Sequence, residues 1–200
     1  MNTQIAAESN RLLWEEWTQI NSRSSMYNLE GFRNGARSLH DLEIREMGDV
    51  SGKTLLHLQC HFGLDTLSWA DRGAIVTGVD LSHSAIELAK RLSDELSIPA
   101  RFIEADIMQF EGQLSEQFDI VYTSYGALNW LPDIRKWART VSSYLKPGGV
   151  FYMAEIHPVS FGLDDGQDQE DLIVKYPYFC GPEPMEFDVQ GSYSDPDAVV

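Results

Sequence analysis

Basic residues are scarce. The chain of 200 residues has 15 Lys and Arg against 31 Asp and Glu, a formal net charge of −16. Phosphate groups are held by clustered Lys and Arg, so this balance argues against nucleic acid or an anionic membrane as partner. Cysteine is scarcer still. Cys60 and Cys180 form no CxxC pair and no framework, which leaves two free thiols and a reducing compartment as the expectation. No apolar run approaches the ~18 residues of a membrane span. The N-terminal stretch from Met1 to Trp17 lacks the basic and apolar segments of a signal peptide. A soluble, cytoplasmic protein is expected. No internal repeat and no linker divides the chain.

What is present is the material of one globular domain. The chain is 43% hydrophobic and 11% aromatic, enough for a full-sized core at this length. Its organising stretch runs from Lys53 to Asp80. Leu55 to Leu58 is a short apolar run of the kind that forms a strand buried on both faces. It breaks at Gln59–Gly63, and Asp65 to Ala70 then has helical spacing, with Gly73 as its stop. Ala74 to Val79 is a second apolar run, closed by Asp80. Strand, tight turn, helix and strand bring backbone N–H groups to a ligand at the turn, and the closing acid to a pair of ribose hydroxyls. Gln59 and Asp80 are twenty-one positions apart, against the roughly 20 of such sites. The stretch reads as a nucleoside-cofactor site.

The wording LLHLQCHFGLDTLSWA resembles motif I of class I S-adenosylmethionine-dependent methyltransferases, in a bacterial branch that carries this variant. The usual pattern is acid-x-Gly-x-Gly-x-Gly. Here His57 stands for the acid, Gln59 and His61 replace two glycines, and Gly63 remains. The likeness extends from about Asn10 into the 190s, and includes the LKPGG wording at 145–149 before the fifth strand. It implies S-adenosylmethionine as cofactor. Its contacts would be Gln59, Cys60, His61, Gly63, Asp65 and Thr66 at the turn and helix start, then Asp80 and Leu81. Asp106 and Ile107 would meet the adenine, and Ser124 and Tyr125 would lie beside the methionine part. Tyr27, Asn129 and Trp130 are the candidates for the methyl acceptor, a small molecule.

Around the motif the chain alternates strands and helices, which means a parallel sheet with right-handed crossovers. The expected fold is α/β, a Rossmann-like doubly wound sheet of order 3-2-1-4-5. Residues 1–50 read as a helical cap, with one helix capped by Ser9, a loop from Asn21 to Gly35, and a second helix from Ser38 paired with Asp41. Residues 53–156 are the cofactor-binding core. Ser82 and Asp133 cap its later helices, and Arg101–Ala105, Phe118–Thr123 and Val150–Ile156 are its later strands. Residues 157–200 read as an acidic flap with two β-rich pieces, Leu172–Phe179 and Glu186–Tyr193. The antiparallel strands that usually close the family's sheet are not found, so the flap reads as cut short. A homodimer through the fifth-strand edge, or the flap folded along it, is the expected protection.

Methyl transfer from a sulfonium is an in-line displacement that needs alignment more than acid–base help. If a base is used, His157 at the end of the fifth strand is the candidate. His57, Cys60 and His61 do not make a zinc set, because strand neighbours point to opposite faces and no second pair completes four ligands. Two other readings stay open at this point. A non-catalytic nucleoside-binding protein would share the βαβ unit. A nicotinamide dehydrogenase would too, but it should show G-x-G-x-x-G where this chain has QCHFGL.

Overall fold

The computed structural model describes residues 3–163, 171–179, 185–187, 189 and 191–198. Three helices come first: α1 (Thr3–Asn21), α2 (Leu29–Arg33) and α3 (Asp41–Met47). The core follows as β1 (Thr54–Leu58), α4 (Leu64–Asp71), β2 (Ile75–Asp80), α5 (His83–Leu96), β3 (Arg101–Glu104), β4 (Phe118–Ser124), α6 (Ile134–Tyr144) and β5 (Leu145–Ala154). The sheet has five strands in the order β3-β2-β1-β4-β5, and every pairing is parallel. The expected fold class and strand order are both present. Leu56, Leu58, Val79 and Val121 pack against Trp137, Val141 and Tyr144 of α6 on one face. Leu55, Val76, Ile120 and Tyr122 pack with Trp69 of α4 on the other. Both faces are covered, which is why the strands read as continuous apolar runs.

The caps of the core helices are those the sequence indicates. Ser82 accepts from Ala85 N at 3.1 Å, and Asp133 accepts from Lys136 N at 2.9 Å. The N-terminal cap departs from expectation in three places. Ser9 lies inside α1, which begins at Thr3. The expected loop from Asn21 to Gly35 contains α2, whose Phe32 is buried because it closes a cluster with Phe62 and Leu67. The next helix begins at Asp41, and its box is formed by His40 N donating to Glu43 Oε2 at 2.9 Å. Ser38 instead meets Ser68 of α4, Oγ to Oγ, at 3.1 Å.

The C-terminal expectation is corrected more strongly. Among the described residues, 172–179 and 186–193 form no strand. They make isolated bridges only, Leu163 to Val174 and Ser192 to Asp195. Leu172, Val174 and Phe179 are 84%, 77% and 87% exposed, so their β propensity has no apolar face to act on. Residues 181–184 of the expected connection, and Cys180, lie outside the described residues. No described segment pairs with the outer edge of β5, where Val150 and Met153 are exposed. No helix among the described residues is long and apolar enough to cross a membrane.

Candidate functional site

The chain leaves β1 for β2 and β3 on one side, then returns to β4 on the other. The switch point therefore lies between the carboxyl ends of β1 and β4, where open parallel sheets bind ligands. The turn after β1 forms one wall. Gln59, His61 and Gly63 take left-handed backbone there, with φ of 60°, 51° and 77°. These are the three places where the family pattern has glycine. The path of a glycine turn is kept although two side chains have been added, at roughly 1 kcal/mol of strain each.

Hydrogen bonds hold that path. Cys60 N donates to Val79 O at 3.0 Å, and His61 N donates to Asp80 Oδ2 at 2.7 Å. Asp80 Oδ1 accepts from Ser82 N at 2.9 Å, so the acid closing β2 clasps the turn and the start of α5 together. Asp80 is buried, and burial raises its carboxyl to about 6 despite those N–H donors. The Gln59 amide bridges to the opposite wall: Nε2 donates to Ala127 O at 2.9 Å, and Oε1 accepts from Trp137 Nε1 at 3.1 Å. Both ends of that side chain are thereby engaged within the protein. Replacing it with glycine relieves the left-handed strain but removes two bonds worth about 1 kcal/mol each. Gln59→Gly is expected to change stability by no more than about 1 kcal/mol while weakening binding of S-adenosylhomocysteine several-fold by calorimetry. Tighter binding would show that the variant turn is a defect.

His57 and His61 are neutral. Burial lowers His57 to about 3; its Nδ1 lies 2.8 Å from Thr66 Oγ1 and its ring stands 4.7 Å from Tyr122. Burial lowers His61 likewise to about 3, and its ring packs edge-on to Trp14 and Tyr27, at 5.2 and 5.3 Å. His61 Nε2 is out of reach of solvent and has no hydrogen-bond partner. Cys60 is buried, with its thiol raised well above the usual range by burial, so it is not a reactive thiol. Among the described residues no His, Cys, Asp or Glu group is arranged to hold a metal ion.

The remaining candidates divide. Asp65 Oδ2 accepts from Ser124 Oγ at 3.0 Å, joining the turn helix to the end of β4. Leu81 is half-buried next to Asp80. Asp106 caps the turn at 107–109, accepting from Met108 N at 2.8 Å, and Ile107 is buried in the α6 cluster. Tyr27 hydrogen-bonds Tyr193 through their hydroxyls. Trp130 packs on Trp14 and Trp17 with ring centres 5.5 and 5.6 Å apart, whereas Asn129 is exposed beside it. His157 is exposed, and its Nδ1 accepts from Val159 N at 3.2 Å, capping the turn at 158–162. That bond gives its ring a structural task.

Sequence reasoning missed several residues. Glu43 is fully buried, with its carboxylate on the Tyr122 and Tyr125 hydroxyls. Glu155 grips the loop after β4, accepting from Gly126 N at 2.5 Å and Leu128 N at 2.7 Å. Segment 191–195 reaches α1: Trp17 Nε1 donates to Gly191 O at 2.7 Å, and Ser192 Oγ to Asn21 Oδ1 at 2.8 Å. Nothing in the local pattern of these residues sets them apart from surface acids and loop serines.

Residues 55–149 match the family profile described as a methyltransferase domain. The ubiquinone biosynthesis O-methyltransferase of Saccharophagus degradans is 31% identical over 127 residues, covering 60% of this chain and 53% of that protein. The Escherichia coli protein of the same description is 25% identical over 162 residues, covering 78% and 67%. The chain thus spans between half and about two thirds of the length of these curated relatives. Among solved structures, an S-adenosylmethionine-dependent methyltransferase from Mesorhizobium loti superimposes with a TM-score of 0.53 at 28% identity, covering 66% of this chain and 59% of that one.

Proposed function

We propose that this chain is a class I S-adenosylmethionine-dependent methyltransferase and moves the methyl group of S-adenosylmethionine to a small-molecule acceptor by in-line displacement. One observation carries the reading: the matched methyltransferase domain, residues 55–149, covers the strands whose carboxyl ends frame the β1–β4 crevice. In this reading Asp80 takes the ribose hydroxyls, and the left-handed turn at 59–63 faces the methionine end. Asp106 and Ile107 flank the adenine, and Ser124 and Tyr125 border the reacting atoms. Tyr27 and Trp130, with Asn129 at the rim, line the acceptor's side. The relatives named for O-methylation support a hydroxyl as the atom methylated. A homodimer through the outer edge of β5 belongs to the same reading.

The protein's part in such a reaction is alignment. Holding sulfonium, methyl and acceptor in line removes the entropy of encounter, which contributes up to about 7–11 kcal/mol in well-oriented reactions. Calorimetric titration with S-adenosylhomocysteine, S-adenosylmethionine and NAD tests the reading. Both adenosyl ligands are expected to bind and NAD is not. Transfer of a tritiated methyl group to a panel of phenols, catechols and amines then tests catalysis. Binding of NAD without either adenosyl ligand would overturn the assignment.

A further inference from the structure

We propose that Tyr125 and Glu43 form a proton relay for a hydroxyl-bearing acceptor, Tyr125 touching the acceptor and Glu43 standing behind it. The inference rests on the methyltransferase reading above and adds to it the means of deprotonation.

Tyr125 is the first residue past β4, at the switch point of the sheet. It is not glycine, yet its φ is 33°. Strain of this kind persists only where neighbouring bonds enforce it, and it gathers at functional positions. The enforcing bonds are present: Tyr125 N donates to Ala154 O at 2.7 Å, and Glu155 holds the next N–H groups of the loop. The result is a ring 43% exposed at the crevice whose hydroxyl reaches inward to Glu43 Oε2 at 3.2 Å.

Glu43 is 0% exposed. Its carboxylate meets the Tyr122 hydroxyl, the Tyr125 hydroxyl and His40 N, and among the described residues it is in no ion pair. Capping α3 requires only the bond to His40 N, which an exposed glutamate makes equally well. A buried carboxylate without a cation is costly. A purely structural role leaves unexplained why the acid is turned onto two phenols.

The geometry gives a defined step. The acceptor O–H passes its proton to the Tyr125 oxygen, while the Tyr125 proton passes to Glu43. The acceptor oxygen forms its bond to the methyl carbon, and the carbon–sulfur bond breaks with its electron pair left on sulfur. Protonated Glu43 returns the proton through Tyr125 to water after the product leaves. Burial and the Glu43 charge hold the Tyr125 phenol well above its usual pKa, so it carries a proton throughout and acts as a conductor. Other ionisable groups face this pair. Tyr122 and Tyr152 come from β4 and β5, Asp65 from α4, His40 from the start of α3, and His57 from behind Tyr122. Helix α3 itself adds Arg45 and Glu46 beside Tyr152. Asp65 and Glu43 both disfavour charge on the Tyr125 oxygen.

The test uses 4-nitrocatechol, whose phenolate absorbs in the visible, added to the full chain saturated with S-adenosylhomocysteine. At a pH where the free probe is neutral, the wild type is expected to bind it as phenolate, lowering its ionisation midpoint by at least tenfold in acidity. Tyr125→Phe and Glu43→Gln are expected to bind the probe and leave it neutral. In methyl transfer to the same probe, Tyr125→Phe should lose roughly 10²-fold in kcat at the same acidic pH, where the free probe is neutral, with KM little changed. That loss should be recovered at alkaline pH, where the probe ionises unaided. Tyr125→Phe, at a half-exposed position, carries the test alone if Glu43→Gln does not fold. A wild type that fails to bind or ionise the probe, or a Tyr125→Phe that ionises it equally, overturns the relay. Failure to bind S-adenosylhomocysteine overturns the cofactor reading instead.

Discussion

Asp80→Asn is expected to weaken S-adenosylhomocysteine at least tenfold at pH 7.5 and to abolish the pH dependence of its binding. The carboxyl is buried, and its pKa is about 6 in the ligand-free protein. Two ribose hydroxyls would add donors that favour the ionised form, each such bond contributing about 1.5–3 kcal/mol. On the proposed function, the ligand is therefore expected to bind the carboxylate. Above about 6 the carboxylate is already formed and affinity is flat. Below it a proton must leave on binding, so affinity falls by roughly tenfold per pH unit. Calorimetry from pH 5 to 8, in buffers of different ionisation heat, reads both the affinity and the proton released. The same raised pKa works against the empty fold. Asp80's contribution to stability is greatest where it is protonated in both states, below the ordinary value of 3.8, and is lost as pH rises through about 6, a loss of order ~3 kcal/mol. Unchanged affinity in a folded Asp80→Asn protein, or a flat profile in the wild type, removes Asp80 from the site.

Gly63→Ala should cost about 3 kcal/mol of stability, a large part of what a domain of this size has. Gly63 has φ of +77°, and a Cβ there would stand 2.7 Å from two carbons of the Phe102 ring and 3.1 Å from Ala89 Cβ. Phe102 and Ala89 are both core residues, so neither has room to retreat. Gly148→Ala serves as control. Its φ is +80° but nothing lies within 4 Å of a Cβ there, so it should lose only the left-handed penalty of about 1 kcal/mol. Urea titration of both variants separates crowding from strain. Equal losses would mean that Phe102 and Ala89 do not confine the turn.

The core of this fold is written locally. Leu55–Leu58 and Phe118–Thr123 are apolar runs bounded by turns, and Ser82 and Asp133 stand where caps belong. The N-terminal boundaries are less legible because Ser9 and Ser38 are good caps in isolation, whereas Ser9 lies inside α1 and Ser38 is engaged by Ser68 of α4. In the flap, propensity and structure part: Leu172–Phe179 has the composition of a strand, yet its described side chains find no partner sheet. At the candidate site, the turn after β1 and the placing of Asp80 against it are legible in the spacing. The tasks of Gln59, Glu43 and Glu155 do not, because each is fixed by a partner far along the chain, Gln59 by Ala127 and Trp137, Glu43 by Tyr122 and Tyr125.

The bonds between α1 and segment 191–195 bear on the order in which the molecule assembles. Asn21 and Ser192 are 171 residues apart, and Trp17 and Gly191 are 174 apart. The β1–β2 and α4 contacts, by contrast, close over a few tens of residues. Short loops close first and long ones bear the larger entropy, so the sheet condenses before the two distant segments meet. During synthesis α1 emerges well before segment 191–195, its partner in these bonds. Until then Trp14 and Trp17 lack the Tyr193 ring that they meet at 6.2 and 5.2 Å in the finished molecule. The slowest folding phase should accordingly be seen in tryptophan fluorescence, after the amides of the sheet are already protected.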